Sequence, residues 1–230
     1  MNKIKNWIYS DKDKFAPGLS FSKLFIIFMF GCFLGTIYED ILSFLKHHFI
    51  KHEFYFATHR GVIYGPLNPL YGAGIVLIIW ILGKKKRHPA KTFLYGAILG
   101  GIIEYVVSFF LEKFLGVASW NYSDQLLNIN GRTSIGYMLF WGLAVTILVH
   151  WIYPFLSKQI EKIPKKLGDT IVTILVIFMA FDMLISWTAL GRQVLRKSGH
   201  PPITKVGEIY DKVYTDERLK KVYTNMKFIK

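Results

Sequence analysis

Gly35-Thr36-Ile37-Tyr38-Glu39-Asp40-Ile41-Leu42-Ser43-Phe44 is an apolar stretch with carboxylates inside it, and its reading decides the fold. It recurs sixty-five residues later as Gly100-Gly101-Ile102-Ile103-Glu104-Tyr105-Val106-Val107-Ser108-Phe109, the shared pattern being G-x-x-x-E-x-x-x-S-F. A looser third copy, Asp182-Met183-Leu184-Ile185-Ser186-Trp187, has Phe178 in place of the glycine. Each copy lies in a hydrophobic run long enough to cross a bilayer. An ionisable residue in that setting costs about 2.5–3.5 kcal/mol and normally faces a partner or a cavity.

The flanking sequence supports a membrane setting. Of 230 residues, 52% are hydrophobic and 17% aromatic, gathered in runs rather than dispersed. A spanning helix needs roughly 20 mostly apolar residues. The expected fold is therefore an all-α, polytopic membrane protein with about five transmembrane helices and internal parallel repeats. Residues 1–20 read as a polar N-terminal segment, 21–190 as the transmembrane domain and 191–230 as a basic, polar tail. The one cysteine, Cys32, allows no disulfide within the chain.

The expected spans are Ser22 to Leu45, Leu70–Leu82, Lys91–Leu115, Thr133–Leu156 and Leu167–Leu190. Trp7 and Tyr9 suit an interface, where amphipathic rings are favoured. Between the first two spans, Gly61, Gly65, Pro66 and Pro69 exclude a regular helix and predict an ordered loop or re-entrant turn. Gly96, Gly100 and Gly101 offer the third span a small-residue face for close helix contact.

Lysine and arginine counts suggest an orientation. The N-terminal segment up to Lys23, the 83–91 loop and the 157–166 loop carry five, five and four, against three in 46–69 and two, Lys113 and Arg132, at the connection after the third span. The positive-inside rule then places the N-terminus in the cytoplasm. Five spans put the tail outside, although it carries ten Lys and Arg. Either a half-span near 60–75 changes the parity, or the tail crosses despite its charge.

In this topology Glu39, Glu104 and Asp182 occupy helices of one direction, each in the outer half of its span and each followed by an arginine: Arg60, Arg132 and Arg192. Residues four apart share a helix face. Gly35, Glu39 and Ser43 form one small–charged–small stripe, and Gly100, Glu104 and Ser108 another. Parallel repeats of this kind build some transporter folds. Glu39, Glu104, Arg60 and Arg132, with Ser43, Ser108 and Asp182, are the candidate substrate-binding residues, and the four charges are expected to converge. The alternative is structural: the carboxylates pair with the arginines and pin loops to helices.

His48 and His52 stand four apart, as metal ligands on a helix would, but no cysteine joins them and the spacing to His59 is irregular. No metal and no cofactor is expected. His150 reads as a hydrogen-bonded core histidine, and Lys84–Arg87 as an anchor at anionic headgroups. The net charge of +14 sits beside the spans, which argues against nucleic acid. Neither a phosphate-binding G-x-x-x-x-G-K-[ST] loop nor a G-x-S-x-G, H-E-x-x-H or C-x-x-C motif occurs, so the chain is not itself a P-loop ATPase.

Arg60-Gly61-Val62-Ile63-Tyr64-Gly65-Pro66-Leu67-Asn68-Pro69-Leu70-Tyr71-Gly72-Ala73-Gly74 resembles the RG-x-x-x-GP-x-x-P-x-YG-x-G signature of the CmpB-like ABC-transporter type IV membrane proteins of bacteria. Trp120-Asn121-Tyr122 and Asn128-Ile129-Asn130-Gly131-Arg132 are similar to that family's W-x-Y and N-x-x-GR stretch. The resemblance covers about residues 21–195, leaving the tail particular to this chain. It implies a multi-pass protein of the plasma membrane acting as a permease component, with membrane lipids, an ATP-binding subunit and a second copy as candidate partners. It implies no particular substrate. Two other functions remain open: a membrane-embedded enzyme for a lipid-linked or phosphorylated substrate, with arginines gripping the anion and a carboxylate as base, and an assembly partner without a substrate.

Overall fold

A computed structural model describes residues 15–50 and 52–228. The expected interfacial roles of Trp7 and Tyr9 lie outside the described residues. Four helices are long and apolar enough to cross a membrane: α1 (Phe21–Ile50), α3 (Pro89–Leu115), α4 (Ile135–Glu161) and α5 (Lys165–Lys197). A shorter apolar helix, α2 (Pro69–Leu82), has 14 residues and a length of about 21 Å, below the roughly 30 Å of hydrocarbon in a bilayer.

The reason α2 is short lies in the Gly/Pro passage. No helix forms between His52 and Asn68, and Pro69 takes the first helical position, where its missing N–H costs nothing. Asn68 caps the helix by accepting from Leu70 N–H, while its own N–H donates to the Cys32 carbonyl, partway along α1 (2.9 Å). The loop is closed by Gly61 N–H donating to the Leu67 carbonyl (2.9 Å), and Gly65 takes a φ of 79° that favours glycine. The ordered, non-helical passage expected at Gly61–Pro69 is what forms.

Two antiparallel hairpins result, each closed by glycines. In α1–α2 a Cβ on Gly72 would stand 2.5 Å from Cys32 Sγ, and one on Gly35 would stand 2.3 Å from Tyr71 Cγ. In α3–α4 a Cβ on Gly100 would stand 2.4 Å from Trp141 Cβ, and one on Gly142 would stand 2.8 Å from the Phe93 carbonyl. Helix α4 widens into a π-turn at Leu148–Ile152, just ahead of Pro154. Proline lacks the N–H and crowds the carbonyl four residues back, and a π-turn absorbs both.

At one face of the bundle Leu24, Ile27, Ile79, Leu82, Leu148 and Val172 pack with Phe15 in a shared core. There Lys23, 1% exposed, donates to Ser157 Oγ (2.8 Å) and pairs with Glu161, tying α1 to α4. The opposite face holds the long loops and the tail. The tail is folded, not extended: α5 continues seven residues beyond the expected Leu190, and α6 (Lys205–Val213) and α7 (Asp216–Val222) follow. Strand β1 (Val117–Ala118) pairs antiparallel with β4 (Lys227–Phe228), and β2 (Asn128–Ile129) pairs with β3 (Thr133–Ser134). Thr224 Oγ1 donates to the Thr58 carbonyl (2.8 Å), so the tail contacts both long loops.

The tail therefore lies on the face of the 46–69 and 116–132 loops, opposite the 83–91 and 157–166 loops. Its basic residues nearest α5 are paired: Asp211 with Arg192 (2.7 Å) and Arg196 (2.5 Å), and Asp216 with Arg196 (2.6 Å) and Lys197 (3.7 Å). Burial alone would raise the Asp211 carboxyl, but hydrogen bonds from Arg192 and Arg196 prevail and hold it below the ordinary range. Asp216 behaves alike through Arg196.

Candidate functional site

Glu39 and Glu104 each stand one turn beyond a glycine that admits an aromatic side chain from the neighbouring helix. Tyr71 packs over Gly35 and its hydroxyl donates to Glu39 Oε1. Trp141 packs over Gly100, and Glu104 accepts from Tyr122 OH (3.0 Å) and Thr133 Oγ1 (2.8 Å). Glu104 is 8% exposed, with each oxygen bonded to a neutral donor. From the tail, Asn225 Nδ2 reaches Glu39 Oε2 at 3.5 Å.

The two carboxylates share an aromatic setting. The Tyr38 ring meets Tyr71 edge-on (6.0 Å between centroids) and stacks on Phe140 (5.9 Å), joining the first hairpin to the second. Tyr122 stacks on Tyr137 at 4.1 Å. The Tyr122 phenol, in the loop after α3, is pushed above its ordinary range first by burial, then by the Glu104 charge, with Glu39 contributing as well. Among the described residues neither carboxylate forms an ion pair with a lysine, arginine or histidine.

The arginines are placed differently from the expectation that four charges converge. Arg132 pairs with Glu112 on the last turn of α3, and its guanidinium lies over the rings of Tyr105 (5.5 Å) and Phe109 (5.7 Å). Arg60 begins the Gly/Pro loop with its Nε buried and without a hydrogen-bond partner. The neighbouring His59 is held by Asp40, through its backbone N–H (2.7 Å) and ring Nδ1 (3.1 Å). Asp182, 2% exposed, belongs to another network: it accepts from Tyr64 N–H (3.1 Å) and Ser186 Oγ (3.1 Å), while Ser186 Oγ accepts from Ile63 N–H (2.8 Å). Helix α5 uses this pair to hold the Gly/Pro loop. Ser43 and Ser108 are half-buried, one turn beyond their glutamates.

Sequence reasoning missed the tyrosines and Thr133. A signal was present: Tyr71-Gly72 and Trp141-Gly142 are the same aromatic–glycine pair, each facing a G-x-x-x-E helix, and Tyr122 lies in the W-x-Y motif. His150 Nε2 is 3.0 Å from Thr92 Oγ1, a core hydrogen bond as expected. Among the described residues no three His, Cys, Asp or Glu side chains are grouped to hold a metal ion.

No curated protein and no solved structure matches the chain. The model of the family described as "Putative ABC-transporter type IV" matches residues 26–187, a stretch holding both hairpins, both glutamates and the Gly/Pro loop. This chain is a multi-pass membrane protein belonging to that family.

Proposed function

We propose that the chain is the membrane-embedded, substrate-handling component of a transporter powered by an ATP-binding partner, and that Glu39 and Glu104 bind a cationic organic solute. The observation that carries this reading is that two carboxylates from neighbouring hairpins are each held by a phenol, Glu39 by Tyr71 and Glu104 by Tyr122, with no basic side chain paired to either among the described residues. An apolar surround disfavours an unneutralised carboxylate, so such a pair calls for a proton or a cation. The faces of Tyr38, Tyr71, Tyr122 and Tyr137 add quadrupole attraction for an organic cation, which a hard metal ion would not need. Arg132 and Arg60 serve to hold the loops beside this site, and Asp182 with Ser186 fixes the re-entrant segment that delivers Tyr71. Ser43 and Ser108 line the approach one turn outward.

In this proposal the chain crosses the plasma membrane five times. The re-entrant loop supplies the part of the second crossing that α2 is too short to make. The N-terminus is cytoplasmic and the glutamates face the outer leaflet. The two G-x-x-x-E helices, each with its aromatic–glycine partner, act as parallel repeats flanking one site. Copies of the chain are free to pair through lipid-facing helices.

The test is thermal unfolding of the purified protein in nanodiscs, with choline, tetraethylammonium and guanidinium set against acetate and phosphate. Stabilisation by an organic cation that is lost in Glu39→Gln and Glu104→Gln supports the proposal. Stabilisation by anions alone, lost instead in Arg60→Gln, overturns it.

A further inference from the structure

The helix α6 presents an apolar stripe that no part of the fold covers. None of its residues is buried, and Val206 and Ile209 are 62% and 58% exposed, with Val213 beside them and Ile203 just ahead at 97%. At about 100° per residue, Val206, Ile209 and Val213 fall within one narrow arc. Gly207, Tyr210 and Asp211, the half-buried positions, face the protein on one side of that arc, and Lys205 and Lys212 border it on the other.

The height of α6 along the bundle is fixed by its bonds to α5. Tyr210 OH meets Thr188 Oγ1 (2.9 Å), and Asp211 pairs with Arg192 and Arg196. From Asp169 to Arg192 the helix rises about 35 Å, slightly more than a hydrocarbon core. Helix α6 is therefore fastened where the apolar length of α5 ends. Leu184 and Trp187, one to two turns before that end, are exposed apolar side chains of α5.

We infer that α6 lies in the plane of the membrane surface, with Ile203, Val206, Ile209 and Val213 inserted among lipid acyl chains and Lys205 and Lys212 at the headgroups. In this placement the protein-facing side of α6 is lateral, the apolar arc points toward the bilayer interior and the two lysines snorkel beside it. The occupant is lipid, because α6 is fastened where the apolar length of α5 ends and its stripe is flanked by Lys205 and Lys212, cations suited to anionic headgroups. The tail in this arrangement is a surface anchor that fixes the depth of α5 and of the loops it covers.

The experiment uses the full chain in nanodiscs containing one-third anionic phospholipid, with Cys32→Ser as background and single cysteines Ile209→Cys and Glu208→Cys labelled with an environment-sensitive fluorophore. The Ile209 probe is expected to emit at shorter wavelength and to be quenched several-fold more by lipids spin-labelled near the headgroup than by aqueous iodide, with the reverse at Glu208. Equal iodide quenching at both positions overturns the inference. Protection of the Ile209 probe from both quenchers also overturns it, since that outcome means a protein covers the stripe. Both positions are exposed, so labelling leaves the fold intact, and an unchanged elution volume verifies this.

Discussion

Asp182 separates two effects of a buried carboxylate. Its Oδ1 accepts from Tyr64 N–H and Ser186 Oγ, both at 3.1 Å, while Oδ2 is buried with no hydrogen-bond partner. Asp182→Ala removes both bonds and strands a backbone donor of the Gly/Pro loop. Two net hydrogen bonds at about 1 kcal/mol, with the added cost of an unsatisfied donor, give a loss of about 2–4 kcal/mol. For a chain of this size that is a fall in Tm of roughly 5–15 °C. Asp182→Asn keeps the Oδ1 acceptor and replaces the unpartnered oxygen with an amide, removing any buried charge; stability within about 1 kcal/mol of the parent is expected. Thermal unfolding in nanodiscs, read by tryptophan fluorescence, measures both. Hydrogen exchange at Gly61–Asn68 locates the effect, with faster exchange in the alanine variant alone. If the asparagine variant melts as low as the alanine variant, charge and not hydrogen bonding secures the loop, and the reasoning is refuted.

Three further outcomes follow from the same structure. Gly100→Leu, which places carbon where Trp141 Cβ stands 2.4 Å away, should cost about 1–3 kcal/mol by overpacking, visible as a lower Tm; Gly74→Ala, with open space around it, should not change it. Ala118→Cys with Lys227→Cys, a directly paired position of β1 and β4, should cross-link under mild oxidation in a Cys32→Ser background. Absence of the cross-link by gel shift would remove the tail from the 116–132 face. Asp211 and Asp216 have carboxyls held below the ordinary value of 3.8, so their stabilisation is present above that pH and is lost as pH falls through the lower folded values. A fluorophore on Lys227→Cys should become accessible to a neutral quencher only below about pH 4; release near pH 6 would assign the tail's docking to other groups.

Much of the architecture was legible because it depends on chain-local physics. Apolar runs of spanning length gave the long helices, and Pro69 with Gly61 and Gly65 required the break before α2, whatever the rest of the chain does. Carboxylates inside those runs marked Glu39, Glu104 and Asp182 as residues needing partners. Which partners they take was not legible. Helical spacing tells which face a side chain occupies, but a hydrogen bond is chosen by whatever the neighbouring hairpin brings within about 3 Å. Arg132 was a plausible counter-ion for Glu104 until the end of α3 supplied Glu112 and two aromatic faces closer to it. The phenols of Tyr71 and Tyr122 reached the glutamates because Gly35 let one ring lie against α1 and the loop after α3 folded the other back. The tail shows the same division. Its composition reads as a basic, polar extension, yet Asp211 and Asp216 neutralise the arginines of α5 only once α6 and α7 have folded beside it. Periodicity and composition decided which residues must be buried or paired; the closing of helices over their glycines decided with whom.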